Sequence, residues 1–133
     1  MDSSPHDSYS LVLGRARARV ERSWTQGAYS RHVDGRALLS WGIRTPYVDV
    51  AGALWQTCIE MELVEWDYEN LRYLLTAHLP SPFNTDRSFG LERWNDLPTT
   101  TKEDAANLLF LTQADYLRCG IVQSRFPFAP IAA

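Results

Sequence analysis

The sequence predicts a mainly α-helical domain: a compact bundle of about four helices with a small β-hairpin after the first. Three observations carry that expectation. Apolar residues recur at helical spacing in separate stretches along the chain. Capping and stop residues bracket those stretches. One Asp-Gly dipeptide between short strand-like runs supplies the hairpin. A length of 133 residues with 45% apolar content suits one domain, 1–133, with one core.

In the first stretch, Val12, Ala16, Val20 and Trp24 recur every four residues with Leu13 beside them, forming one face of an amphipathic helix. Ser10 suits its N-cap, which leaves residues 1–9 as a loose N-terminal segment. Gly14 weakens the early turns by about 1 kcal/mol relative to alanine. Gly27 can take the left-handed conformation that ends a helix. Beyond it, Asp34-Gly35 allows positive φ at both central turn positions, so Tyr29 to Val33 and Arg36 to Trp41 are expected as the hairpin strands.

Thr45-Pro46 reads as a helix start, because proline is tolerated in the first turn. Val50, Leu54, Cys58 and Met61 then share one side of a helix from Pro46 or Val48 to Val64. Asp67 is expected to cap the next helix, whose face carries Leu71, Leu74, Leu75 and His78 and which Pro80 ends. "PSPFNTDRSFG" follows as the longest irregular stretch, and long loops in compact domains often border function. Thr100 and Glu103 have the spacing of a capping box for the last helix, and Asp104 adds favourable charge to its first turn. Ala105, Leu108, Leu109, Thr112, Tyr116 and Leu117 make its apolar stripe, and Gly120 closes it. Residues 121–133 are expected as an extended C-terminal tail over the core.

Composition narrows the function classes. Thirteen basic against sixteen acidic residues give a net charge of −3, which does not suit a protein whose whole surface seeks phosphate. Arg15, Arg19 and Arg22 form a local stripe on the first helix, read as a solvated outer face, so nucleic acid is an unlikely partner. Cys58 and Cys119 fall on expected helices without a CxxC pair, which suits two buried thiols in a reducing cytoplasm. A secretory signal and a run of eighteen apolar residues are both missing, so a cytoplasmic protein away from the membrane is expected. His6, His32 and His78 are scattered, and no metal is expected. GxSxG, Walker and GxGxxG motifs do not occur, so no cofactor is implied. The acidic run Glu60, Glu62, Glu65, Asp67 and Glu69 reads as a solvated face.

"SWTQGAYSRHVDGR", then "AGAL" opening a helix, then "LERWNDLPTTTKEDAANLL" resemble, in that order, an uncharacterised small-protein family of actinobacteria and their phages. The likeness runs from about Leu11 to Leu117 and includes a Trp-Asn-Asp motif before the last helix. The family is a domain of unknown function, so the resemblance implies no reaction, cofactor or partner. "SWGIRTPYVDV" and the "FPFAPIAA" tail depart from the pattern.

Trp94, Asn95 and Asp96 admit two readings. In one, the indole plugs the core and the polar pair makes turn hydrogen bonds ahead of Pro98. In the other, aromatic and amide residues at the helix junctions surround a small organic ligand. The expected ligand-binding residues are then Trp24, Gln26, Tyr29, Trp41, Trp94 and Asn95, with His78 and Asp96 as the groups that move protons if the domain is a cofactor-independent enzyme. The alternative function is a protein-interaction module or a homo-oligomerising accessory protein without catalysis.

Overall fold

The computed structural model describes residues 5–27, 30–31 and 47–118. Helix α1 spans Pro5–Ser23, α2 Val50–Glu60, α3 Glu65–Ala77, α4 Gly90–Asn95 and α5 Lys102–Arg118. Among the described residues, strands β1 (Ser30–Arg31) and β2 (Tyr47–Val48) form an antiparallel pair, and a 3-10 turn spans Phe83–Thr85. The chain is therefore mainly helical, as expected, with α4 added to the four principal helices.

The core lies where α1 packs along α5 and across α2, with α3 closing the other side. Val12, Leu13, Ala16 and Val20 of α1 meet Leu54 and Ala53 of α2, Leu71 and Leu75 of α3, and Leu109 of α5, all of them buried. These are the periodic apolar positions of the sequence. Burying the valine and leucine side chains among them contributes about 1.5–3 kcal/mol each. Gly14 has a packing reason: a Cβ there would lie 3.0 Å from Gln113 Nε2, and that amide crosses α1 to donate to the Ser10 carbonyl. Gly90 is fixed more tightly, because a Cβ would stand 2.3 Å from the Phe83 carbonyl oxygen.

Several boundaries differ from expectation, each for a physical reason. Helix α1 begins at Pro5 rather than near Ser10, so residues 5–9 are helical rather than loose. Proline suits the first helical turn, and Tyr9 is buried, its hydroxyl donating to Asp67 Oδ1 at 2.8 Å while Asn70 Nδ2 donates to it at 3.1 Å. Helix α2 starts at Val50 because Asp49 caps it and residues 47 and 48 pair with β1. It ends at Glu60 in a Schellman turn: Glu62 N–H donates to Ile59 O and Leu63 N–H to Cys58 O. Glu62 holds the left-handed position at φ 60°, where glycine is usual and another residue costs about 1 kcal/mol.

Asp67 sits inside the first turn of α3, not before it, and its Oδ2 accepts from Val64 N–H. The last helix starts one residue later than expected. Thr101 and Asp104 exchange the capping-box bonds, while the Thr100 hydroxyl donates to the Trp94 carbonyl at 2.7 Å. Strand β1 pairs with residues 47 and 48, Ser30 opposite Val48, and the Arg36–Trp41 run lies outside the described residues. The Asp34-Gly35 turn, Cys119 and the 121–133 tail lie outside the described residues.

Candidate functional site

Trp24 and Asn95, far apart in sequence, meet at the junction of α1, α2 and α4. Asn95 is the last residue of α4 and is fully buried. Its Oδ1 accepts from Trp24 Nε1–H at 2.8 Å and from Val50 N–H at 3.2 Å. Its Nδ2 donates to the Thr25 carbonyl at 3.2 Å and to Asp96 Oδ1 at 3.1 Å. An amide has two acceptor and two donor positions, and all of them are filled.

The bonds fall on groups that need partners. Val50 N–H belongs to the first turn of α2, where the helix supplies no acceptor. Gln26 Nε2 donates to the Asn95 and Leu97 carbonyls at 2.9 and 2.8 Å, satisfying the C-terminal end of α4. Asp96 Oδ1 accepts from Gly27 N–H at 2.8 Å, and Gly27 sits at φ 80°, a position that favours glycine. Thr25 N–H donates to the Val48 carbonyl at 2.8 Å and ties the end of α1 to β2. Trp94 is partly buried and packs on the core.

Asp49 adds a buried carboxyl beside this junction. It is 2% exposed and accepts from Gly52 N–H at 2.6 Å as the α2 N-cap. Burial pushes its pKa up to about 8; the Gly52 bond opposes that, Glu92 and Asp96 add to it, and Arg72 opposes it. Arg72 is itself buried in a two-point bridge to Glu92, at 2.7 and 3.1 Å, with Ser88 O and Tyr68 Oη as further partners.

The remaining expected site residues fall elsewhere. His78 is the C-cap of α3; its Nδ1 lies 2.9 Å from Leu74 O and its Nε2 3.2 Å from Asp115 Oδ2. Donation to both oxygens needs both ring nitrogens protonated. His78 and Asp96 thus belong to separate hydrogen-bonded groups, one linking α3 to α5 and the other α4 to Gly27. Tyr29 and Trp41 lie outside the described residues.

The arginine stripe of α1 is divided. Arg19 turns to α2, with Nε donating to Thr57 Oγ1 at 3.1 Å, Nη1 to Gln56 Oε1 at 2.9 Å, and Nη2 paired with Glu60. Arg17 lies over the Phe110 ring of α5 at 5.2 Å. Arg15 and Arg22 stay exposed. Of the acidic run, Glu62, Glu65 and Glu69 are exposed, while Asp67 is buried on Tyr9. Cys58 is buried, and desolvation raises its thiol pKa to about 12, which removes thiolate chemistry near neutral pH. Among the described residues no three His, Cys, Asp or Glu side chains gather as a metal site, and no helix is long and apolar enough to cross a membrane.

Asp49 and Thr25 are the junction residues that sequence reasoning passed over. The available signal was an aspartate directly before the apolar run "VAGALW", a helix-start cue that Thr45-Pro46 overshadowed.

These observations define a small helical domain whose helix ends are joined through one buried amide. Residues 4–114 match the profile of a family of unknown function, DUF6197, and the chain belongs to that family. No curated protein and no solved structure matches it significantly.

Two outcomes follow from the junction. Asn95→Ala leaves Val50 N–H and Trp24 Nε1–H without their acceptor and should cost about 2–4 kcal/mol in urea unfolding, with far-UV circular dichroism confirming the fold that remains. Asp49 keeps its proton in the folded chain up to about pH 8 but loses it near pH 4 when unfolded. The native state then binds more protons between those values, so this group lowers stability as pH rises from about 4 to about 8. Asp49→Asn stays neutral, and urea midpoints measured across that window should fall less steeply than in the wild type.

Proposed function

We propose that this domain is a protein-interaction module that pairs with a second copy of itself through the outer face of α5. The observation that supports this reading is a run of exposed apolar side chains. Phe110 is 46% exposed, Leu111 49% and Leu117 62%, and Ala114 lies exposed between them. The inner positions Ala105, Leu108, Leu109 and Thr112 already serve the core, and of the outer residues Phe110 is covered on one side by Arg17. Contiguous apolar surface of this kind marks association sites.

The pattern is self-complementary. In an antiparallel α5–α5 pair, a two-fold axis through Ala114 puts a small side chain at the closest approach and sets each Leu111 against Leu117 of the other copy. The rim is charged: Arg17, Glu21, Lys102 and Glu103 line a groove of about 350 Å³ together with Phe110. An apolar centre with a polar margin is the usual anatomy of such contacts. One helix pair is a small interface, so the dimer should be weak, with dissociation in the micromolar range or above.

The other reading, a small organic ligand among Trp24, Gln26, Tyr29, Trp41, Trp94 and Asn95, draws less support, because Asn95 and Gln26 already spend their amides on bonds within the chain.

Sedimentation velocity from micromolar to millimolar concentration should show the wild-type chain moving toward a dimer. Leu111→Glu combined with Leu117→Glu should remain monomeric with unchanged circular dichroism. A wild type that stays monomeric throughout, or a double variant that dimerises equally well, overturns the proposal.

A further inference from the structure

We propose that the groove between α1 and the start of α5 receives the segment that follows Arg118 in the second copy, so that the two chains exchange these segments across the dimer. This inference rests on the α5–α5 pairing proposed above and names what fills the groove of about 350 Å³ at its edge. Besides the residues already given, Ala106 and Asn107 of α5 line that groove.

The first observation is register. With a two-fold axis through Ala114, positions equally far from it on opposite sides lie level in the two copies. Phe110 stands four residues before Ala114 and Arg118 four after it, so Arg118 of one chain lies level with Phe110 of the other. Helix α5 ends at Arg118. The chain continuing beyond it in the same direction passes toward Lys102 of the other copy, along the groove. The stretch from Lys102 to Phe110 is about 12 Å of helix, which an extended chain covers in about four residues. Residues 119–122 therefore cover the groove, and Arg125 comes within side-chain reach of its Lys102–Glu103 end.

Direction also selects the second copy over the same chain. Helix α5 runs from Lys102 to Arg118, away from its own groove. A segment returning to that groove must reverse, whereas the groove of the other copy lies straight ahead.

The chemistry of the two surfaces matches. Phe110 is 46% exposed, and Arg17 covers only one side of its ring, at 5.2 Å from the centroid. Glu103 is exposed and makes no ion pair among the described residues. The segment "CGIVQSRFPF" brings Ile121 and Val122 for the open side of the Phe110 ring and Arg125 for Glu103, and it contains no acidic residue. Specific dimers bury roughly 1,200–2,000 Å² in total. One helix pair supplies less than that, and by symmetry each exchanged segment adds its area twice.

Paramagnetic broadening between differently labelled full-length chains tests the exchange at concentrations where sedimentation shows a dimer. Unlabelled Cys119→Ser, Ser124→Cys chains carry a nitroxide at position 124, and Cys58 is buried. Mixed with ¹⁵N-labelled wild type, they should broaden the amides of residues 102–107, and dilution to monomer should abolish the effect. Glu103→Arg should weaken dimerisation about fivefold, and Arg125→Glu in the same chain should restore it. A dimer without broadening at residues 102–107 overturns the proposal. So does broadening seen only when the nitroxide and ¹⁵N are on one chain, diluted into excess unlabelled wild type. Both of those results leave the α5 pairing standing, whereas a chain that never dimerises overturns both readings.

Discussion

A buried amide must find partners for two lone pairs and two N–H bonds, and Asn95 finds them at the ends of two other helices. Its oxygen serves the indole of Trp24 and the first amide of α2; its nitrogen serves the Thr25 carbonyl and Asp96. Helix ends are where a backbone lacks internal partners. By placing the α1 and α4 C-termini and the α2 N-terminus around one side chain, the fold lets the ends share partners. Gln26 and Asp96 repeat the device on the carbonyls of α4 and the amide of Gly27. The aliphatic stripes then decide how the helices lie, and the amide decides where they meet.

Buried polar links elsewhere follow the same logic. Tyr9 ties α1 to α3 through Asp67 and Asn70, Arg72 ties α3 to α4 through Glu92, and Arg19 ties α1 to α2. Each joins helices that also share apolar contact, so specificity of register is added to the non-directional attraction of the core. Asp49 stands apart as a carboxyl held neutral by burial, with Glu92 and Asp96 nearby. A single-site link of this kind makes the junction the natural place for stability to respond to pH.

Local rules made much of this legible. The apolar spacing of Val12, Ala16 and Val20, and of Leu71, Leu74 and Leu75, identified core-facing residues because burial is periodic on a helix. Trp24, Gln26, Asn95 and Asp96 could be grouped because polar and aromatic residues at element ends need partners. What those partners would be was not legible: an asparagine bonded to another helix and one turned to a ligand look the same in one dimension. The capping boundary slipped by one because "TTT" offers equivalent hydroxyls, and only the Trp94 carbonyl selects Thr100 for another task. The pairing of β1 with residues 47 and 48 was not legible, because it depends on where α2 begins. Gly14 looked like a weakness until Gln113 was seen to pass over it.

A rigid junction on one side leaves α5 with an apolar outer face. The buried amide is, on this account, the frame that holds the helix in place. Hydrogen exchange of the Trp24 indole N–H and the Val50 amide tests that account most directly. Both should exchange only through global unfolding, with the same free energy as the slowest core amides. Exchange of either through a low-energy local opening, while the helix interiors stay protected, would show that the helices hold together without this joint and would contradict it.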